Sequence, residues 1–443
     1  MAAAFAAFAA FAAFAAFAAP AARAARARRI TPKEPADMRL HPRLTARRFA
    51  RWFHHRAAAA PAASAAALLL LGAAAAAQPT QGVAKDTIVI GTIQDLSGPV
   101  AAYGKAARNG LQLRVDEINE QGGIHGRKIR LVVEDNAYDP KRAVLAAQKL
   151  VNQDKVFLVA SHIGTPMNNA AMPIQFEKGV INFFPLSAGR EMYDPPSKLK
   201  FAGVASYHDT IRMNVPQLYK EKGAKNACVL YQDDDYGLEV VRGAEAGLKD
   251  IGAAMGEKTT YKRGATDFSS QIARLKSSGC DFLVLGTIIR ETIGAIAEAR
   301  KIGWNPTIIG SQATYTDLIH KLGGKGMDGF YAVSTLYFPY LDVEHKDLRF
   351  WANKYKTKFG EDPSTYATGT YAGMDLIIRA MQKAGPNLTA DSFNQAIIGM
   401  GEIPADIFGS PPMRFTEQQR LGSTKSRLSQ IQNGRWVVVS DLR

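Results

Sequence analysis

From Thr87 onward, short apolar runs alternate with longer stretches in which apolar positions recur every three to four residues. No other property of the chain constrains its fold as strongly. Thr87-Ile88-Val89-Ile90-Gly91 is a continuous apolar run. Ala107, Leu111, Val115 and Ile118 then follow at helical spacing until Gly122-Gly123 ends the pattern. Ile129, Leu131 and Val133 alternate as a strand, and Asp139-Pro140 opens a helix with Val144, Ala147 and Val151 on one face. A strand at 156–160, a helix at 168–177 and a strand at 180–184 complete the first set. Continuously apolar strands are buried on both faces, so this order predicts a parallel sheet with helices on either side.

The alternation restarts after a loop near Ser206. Strands are expected at 227–231, near Thr259, at 282–285, at 307–309 and at 330–333, with helices at 237–251, 268–276 and 292–302 between them. The fold class is therefore α/β, with two doubly wound lobes. Helices at 348–359, 367–383 and 392–400 have no complete sheet of their own and must pack onto lobes already formed. A last strand at 435–440 returns to one of them. We expect one lobe from 85–206 with 335–415 and the other from 207–334 with 416–443, crossing near Ser206, Ser334 and Thr416. Several crossings between the lobes make a hinged clamshell.

Charge is informative only through its position. The formal net charge is +15, but residues 1–84 hold eleven basic residues against Glu34 and Asp37. Most of the excess lies there, so a basic nucleic-acid surface on the folded part is not expected. Residues 1–37 are low complexity, with Phe5, Phe8, Phe11, Phe14 and Phe17 in an alanine background, and are read as an extension upstream of the true start. Residues 38–77 combine a basic stretch, an apolar core around Leu68-Leu69-Leu70-Leu71 and small residues before Gln78, the layout of a secretory signal peptide. An uncleaved anchor is the alternative, but the apolar core is shorter than the ~20 residues needed to span a bilayer. The mature chain is expected to lie outside the cytoplasm.

Enzyme signatures fail one by one. There is no phosphate loop and no dinucleotide fingerprint, and Ser187 lacks the first glycine of a nucleophile elbow. The histidines show no metal-ligand spacing, and Asp233-Asp234-Asp235 lacks the calcium-loop alternation, so it is read as a solvated loop. We expect no catalytic residue, no metal and no cofactor. Cys228 and Cys280 open neighbouring strands, and a bridge or two buried thiols both remain open. Ligands of open α/β sheets bind beyond the carboxyl ends of the strands. Those ends are at 97–103, 162–165 and 185–189 in the first lobe, and at 232–236, 287–290, 311–314 and 336–340 in the second.

At these loops the chain resembles the solute-binding proteins of ABC importers of the branched-chain amino-acid class, the leucine/isoleucine/valine-binding type. The likeness is carried by Leu96-Ser97-Gly98-Pro99 with Tyr103-Gly104, Asp116-Glu117-Ile118-Asn119 with Gly122-Gly123-Ile124 and Gly126, Glu134-Asp135 with Asp139-Pro140, and Asp235-Tyr236-Gly237. The resemblance implies the type I periplasmic-binding fold with a three-crossover hinge. It also implies a small-molecule ligand (an amino acid or organic carboxylate), an ABC permease as partner and a monomeric state. By the same resemblance Tyr103 is an aromatic wall, Thr165 a hydroxyl on the ligand carboxylate, Ser187 and Ala188 further carboxylate contacts, and Tyr236 an aromatic residue of the second lobe. Tyr337, in the aromatic loop after strand 330–333, completes the expected set.

Two positions depart from the pattern. Gln312 stands where amino-acid binders place a glutamate for the ligand ammonium, and Ile288 or Ile289 where leucine binders place an aromatic ring. A neutral amide holds an ammonium less well than a carboxylate does. The expected ligand is therefore a small carboxylate whose ammonium is absent or weakly read, with an aromatic acid as one form. Amino-acid binding with the charge supplied by Asp209 is the competing view. A ligand-sensing module feeding a receptor is the alternative to transport.

Overall fold

A computed structural model describes residues 80–443. The expected leader at 1–77 lies outside the described residues. The first sheet contains β1 (Thr87–Gln94), β2 (Lys128–Asp135), β3 (Leu158–Ala160), β4 (Ile181–Phe183) and β5 (Lys200–Phe201), all parallel in the order β2-β1-β3-β4-β5. Its crossover helices are α1 (Ala101–Glu120), α2 (Pro140–Asn152) and α3 (Thr165–Glu177). Asp139 caps α2 by accepting the Arg142 N–H at 3.0 Å, ahead of Pro140 in the first turn. Ile88, Ile90 and Ile93 of β1 are fully buried, as a strand covered on both faces requires.

The second half begins with α4 (Tyr207–Glu221), a helix the sequence pattern did not announce because Pro216 sits inside it. It continues through β6 (Ala227–Gln232), α5 (Asp235–Asp250), β7 (Met255–Tyr261), α6 (Ser269–Ser277), β8 (Phe282–Gly286), α7 (Ile289–Lys301), β9 (Thr307–Gly310), α8 (Leu318–Gly323) and β10 (Tyr331–Ser334). Then come α9 (Lys346–Phe359), α10 (Thr365–Ala384) and α11 (Ala390–Ile398), followed by the hairpin β11 (Glu402–Ile403) and β12 (Met413–Arg414). Two further strands, β13 (Arg427–Gln432) and β14 (Arg435–Val438), end the fold. The second sheet runs β14-β13-β10-β9-β8-β6-β7, parallel from β10 to β7 and antiparallel at β13 and β14. The polar sequence of β13 hid it from an apolar-run search.

The chain crosses between the sheets after β5, after β10 and between β12 and β13. In the middle segment α10 and α11 bury Met374, Ile377, Phe393 and Ile397 in the core of the first sheet, beside Ile88, Ile90 and Leu111. Cys228 and Cys280 form a disulfide with Cα atoms 5.9 Å apart, tying the start of β6 to the loop before β8. Among the described residues, no helix is long and apolar enough to cross a membrane.

Candidate functional site

Both lobes use the same device to aim a tyrosine into the space between them. In the first, the buried Asp95 at the end of β1 accepts the N–H groups of Ser97, Gly98 and Val100, folding the loop back so that α1 starts against the strand. Tyr103 then faces the cleft, with Gly104 packed on the Asp95 carbonyl. In the second, Asp234 accepts the N–H groups of Tyr236 and Gly237, and Gly237 packs on the Gln232 carbonyl. The Asp233–Asp235 run is thus more than solvated loop, since Asp234 is the cap of α5. Among the described residues, no acid or histidine cluster could hold a metal ion.

The loops meet across the cleft. The Tyr103 hydroxyl donates to the Ala313 carbonyl at 2.9 Å, Arg263 Nη1 donates to the Tyr138 carbonyl at 3.2 Å, and Asn169 Nδ2 donates to Asp235 at 2.9 Å. Tyr103 stacks on Tyr366 with ring centroids 3.9 Å apart and planes 15° apart. Tyr207 meets Tyr236 edge-on at 4.9 Å. The Tyr236 hydroxyl lies 2.7 Å from the Thr287 carbonyl, to which it donates, and 2.8 Å from Ser311 Oγ. Burial pushes Tyr207 up to about 12, and Tyr103 and Tyr236 well above the ordinary phenol range. All three are neutral hydroxyls at physiological pH. His162, wholly buried, is driven down to about 3 by burial alone and stays an uncharged imidazole.

Two adjoining chambers lie here. The smaller, about 30 Å³, is bounded by Tyr103, Tyr138, Thr165, Tyr236 and Ile288. The larger, about 140 Å³, is bounded by Ser187, Ala188, Tyr207, Gln312, Thr365 and Tyr366, among others. Leu186, Tyr207, Ala313 and Tyr366 border both. Thr165 Oγ1 and Ser187 Oγ share a hydrogen bond of 2.8 Å, joining the two ends of the first-lobe rim. Gln312 is held at both ends: its Nε2 donates to the Ala205 carbonyl at 2.9 Å, and its Oε1 accepts from Thr210 at 3.1 Å. Among the described residues, no charged side chain lines either chamber.

Of the eight residues expected from sequence, seven border this space: Tyr103, Thr165, Ser187, Ala188, Tyr236, Ile288 and Gln312. Tyr337 does not join them. Its ring is 40% exposed and lies beneath the Arg427 guanidinium at 4.5 Å, while its neighbour Leu336 lines the larger chamber. Asp209 is also absent from the lining; its carboxylate is hydrogen-bonded to His208 at 2.8 Å. Sequence reasoning missed Tyr138, Tyr207, Thr365 and Tyr366. Tyr207 belongs to the unforeseen α4. Thr365 and Tyr366 form the first turn of α10, which the apolar pattern started two residues late.

One buried acid beside the site makes a stability prediction. Glu291, in the first turn of α7, is 1% exposed, and its Oε1 has no partner among the described residues. Burial raises its pKa, so the protonated form favours the fold. The stability this supplies is complete below the ordinary glutamate pKa and is lost as pH rises through the raised value. Glu291→Gln is expected to raise the melting temperature at pH 8, by about 1–2 kcal/mol of stability, with the gain vanishing near pH 4. Parallel melting curves against pH for the two proteins would refute the assignment.

A family model described as periplasmic binding protein matches residues 87–435. A leucine-, isoleucine-, valine-, threonine- and alanine-binding protein of Pseudomonas aeruginosa is 27% identical over 307 residues, covering 68% of this chain and 80% of that protein. A fatty acid ABC transporter substrate-binding protein from Thermomonospora curvata superposes with a TM-score of 0.75 at 24% identity, covering 83% of this chain and 94% of its own. A leucine-binding protein from Thermotoga maritima gives 0.71 at 18% identity, covering 80% and 97%. The two doubly wound lobes expected from the strand–helix order, and the type I periplasmic-binding fold implied by the resemblance, are what these structures share.

Proposed function

The chain belongs to the periplasmic binding protein family and is a binding protein rather than an enzyme, and from that premise we propose that it is the solute-binding component of an ABC importer. It captures a small organic carboxylate between its lobes and presents it to a membrane permease, working as a periplasmic monomer. The lobes hinge at 85–206 with 335–415 against 207–334 with 416–443. The observation that carries the ligand assignment is the uncharged lining, with Gln312 at the position where an ammonium would need an acid. Its Nε2 donates to the Ala205 carbonyl, a bond that a glutamate could not make. The ligand carboxylate is received by hydroxyls and by the amino-terminal turn of α3, where Thr165 sits hydrogen-bonded to Ser187 from the loop after β4. Tyr103 and Tyr236 wall the apolar part, with Ala188 and Ile288 beside them.

Thermal-shift measurements on the mature chain with leucine, valine, benzoate and aryl-oxo acids test the proposal. The carboxylates without an ammonium should stabilise the protein, and strong selective stabilisation by leucine would sink it. Gln312→Glu should move the preference toward amino acids by roughly tenfold, about the difference between a neutral and a charge-assisted hydrogen bond.

A further inference from the structure

One of the hydrogen bonds that cross the cleft starts from a strained turn. Ala137 and Tyr138, in the loop between β2 and α2, both take left-handed backbone, with φ of 45° and 57°. That conformation costs free energy in residues that carry a side chain. Two acceptors hold it in place: Asp135 takes the Ala137 N–H and Asn136 Oδ1 takes the Tyr138 N–H, each at 2.9 Å. The Tyr138 carbonyl is left to accept Arg263 Nη1 at 3.2 Å, and Met167 Sδ of α3 lies 3.7 Å from the same nitrogen. Arg263 comes from the opposite side of the cleft, in the loop between β7 and α6 of the second sheet. A strained turn that presents a carbonyl to a cation from another sheet is a functional feature, since relaxing the turn would cost the fold nothing else.

The charge pattern of the second-sheet loop supports this independently. Lys262 pairs closely with Asp233 on its own side of the cleft. Arg263, the next residue, has a longer ion pair there, Nε to Asp234 Oδ2 at 4.0 Å. Asp234 is already committed to the cap of α5 and to Gln232 Nε2 at 2.5 Å, so it steers the guanidinium without saturating it. The free end of the guanidinium reaches across, where Met167 is fully buried and Tyr138 nearly so. A charged donor makes this bond stronger than a neutral one. A second clasp lies beside it, from Asn169 of α3 to Asp235 of α5 at 2.9 Å. Each clasp adjoins a wall of the smaller chamber: Tyr138 is one wall, and Asp235 precedes Tyr236, another.

We propose that Arg263 is a positioning residue that latches the two lobes together over the smaller chamber by donating to the Tyr138 carbonyl, with Asn169 and Asp235 as the second clasp. The inference rests on the hinged binding-protein reading above and names the contact that sets how long the lobes stay shut. Because the bond joins protein directly to protein, it biases the equilibrium between open and closed lobes whatever the ligand is. Small-angle scattering of the mature chain, with no ligand added, tests this. Arg263→Ala should have a larger radius of gyration than the parent. Lys262→Ala, in the same loop but paired within its own lobe, should match the parent. Stopped-flow kinetics with benzoate should then show release about tenfold faster in Arg263→Ala, the worth of one charge-assisted hydrogen bond, with association within twofold. Arg263→Lys, which keeps a charged donor, should recover part of the loss. Asn169→Ala, from the opposite lobe, should also speed release, which keeps the test valid should an Arg263 variant fold poorly. Equal radii for the parent and Arg263→Ala, or unchanged release in both the Arg263 and Asn169 variants, would overturn the latch. Failure of the parent to bind benzoate or an aryl-oxo acid would count against the carboxylate reading alone, and the scattering would still decide the latch.

Discussion

Replacing Cys228 and Cys280 with alanine is expected to destabilise the protein by about 4 kcal/mol, the loop-closure entropy of a cross-link spanning 52 residues. The bridge joins the start of β6 to the loop that feeds β8, two neighbours in the second sheet. Both cysteines are buried, so the substitution removes little packing beyond the sulfur atoms, and most of the effect should arise in the unfolded chain. Denaturant unfolding with and without reductant measures it: the parent should lose stability on reduction, and the double variant should be indifferent to reductant. A change below about 1 kcal/mol on reduction would mean that the reduced chain already constrains this segment in the unfolded state.

Gly104→Ala and Gly237→Ala should each cost more than about 2 kcal/mol, because the added methyl overlaps a backbone carbonyl that cannot move without shifting a strand. The colliding groups are the Asp95 carbonyl at the end of β1 and the Gln232 carbonyl at the end of β6. Each glycine follows a cleft tyrosine, Tyr103 or Tyr236, so a helix pushed off its strand also withdraws a wall of the chamber. Chemical denaturation should show the stability loss. Titration with the best carboxylate should show weakened binding even where most of the protein remains folded. Wild-type stability in both variants would mean that the close approach is relieved by small backbone adjustments. Ordinary helix substitution predicts the opposite sign, since alanine is the better helix former, so the direction of the change is decisive.

Much of the fold was legible because apolar burial writes a period into the chain. The runs at β1, β6 and β8 are buried on both faces and read as continuous apolar strands. Helices α2 and α5 carried clear one-sided patterns. The pattern failed where tertiary contacts overrule local preference. Helix α4 keeps Pro216 because its packing against α5 outweighs the lost backbone bond. Strand β13 is mostly polar yet buried, because Ser334 and Ser429 bond to each other inside the sheet at 2.9 Å. Strand β5 is two residues long and too short to show any period.

The same division holds for the site. The strand-end loops named most of the cleft residues, since the carboxyl ends of parallel strands converge on one edge of each sheet. Those loops could not reveal that Leu336 faces the chamber while Tyr337 turns outward beneath Arg427. Nor could they reveal that Thr365 and Tyr366, far along the chain, close the chamber from a helix amino terminus.

By itself, then, the sequence determined two doubly wound sheets, a chain that must cross between them several times and a binding edge without enzymatic groups, because each of these follows from periodicity and residue chemistry along the chain. Only the tertiary structure decided that Cys228 meets Cys280, that Gln312 is bound at both ends, and that Tyr366 stacks on Tyr103. Those depend on distances between segments far apart in the chain, and no local pattern encodes a distance.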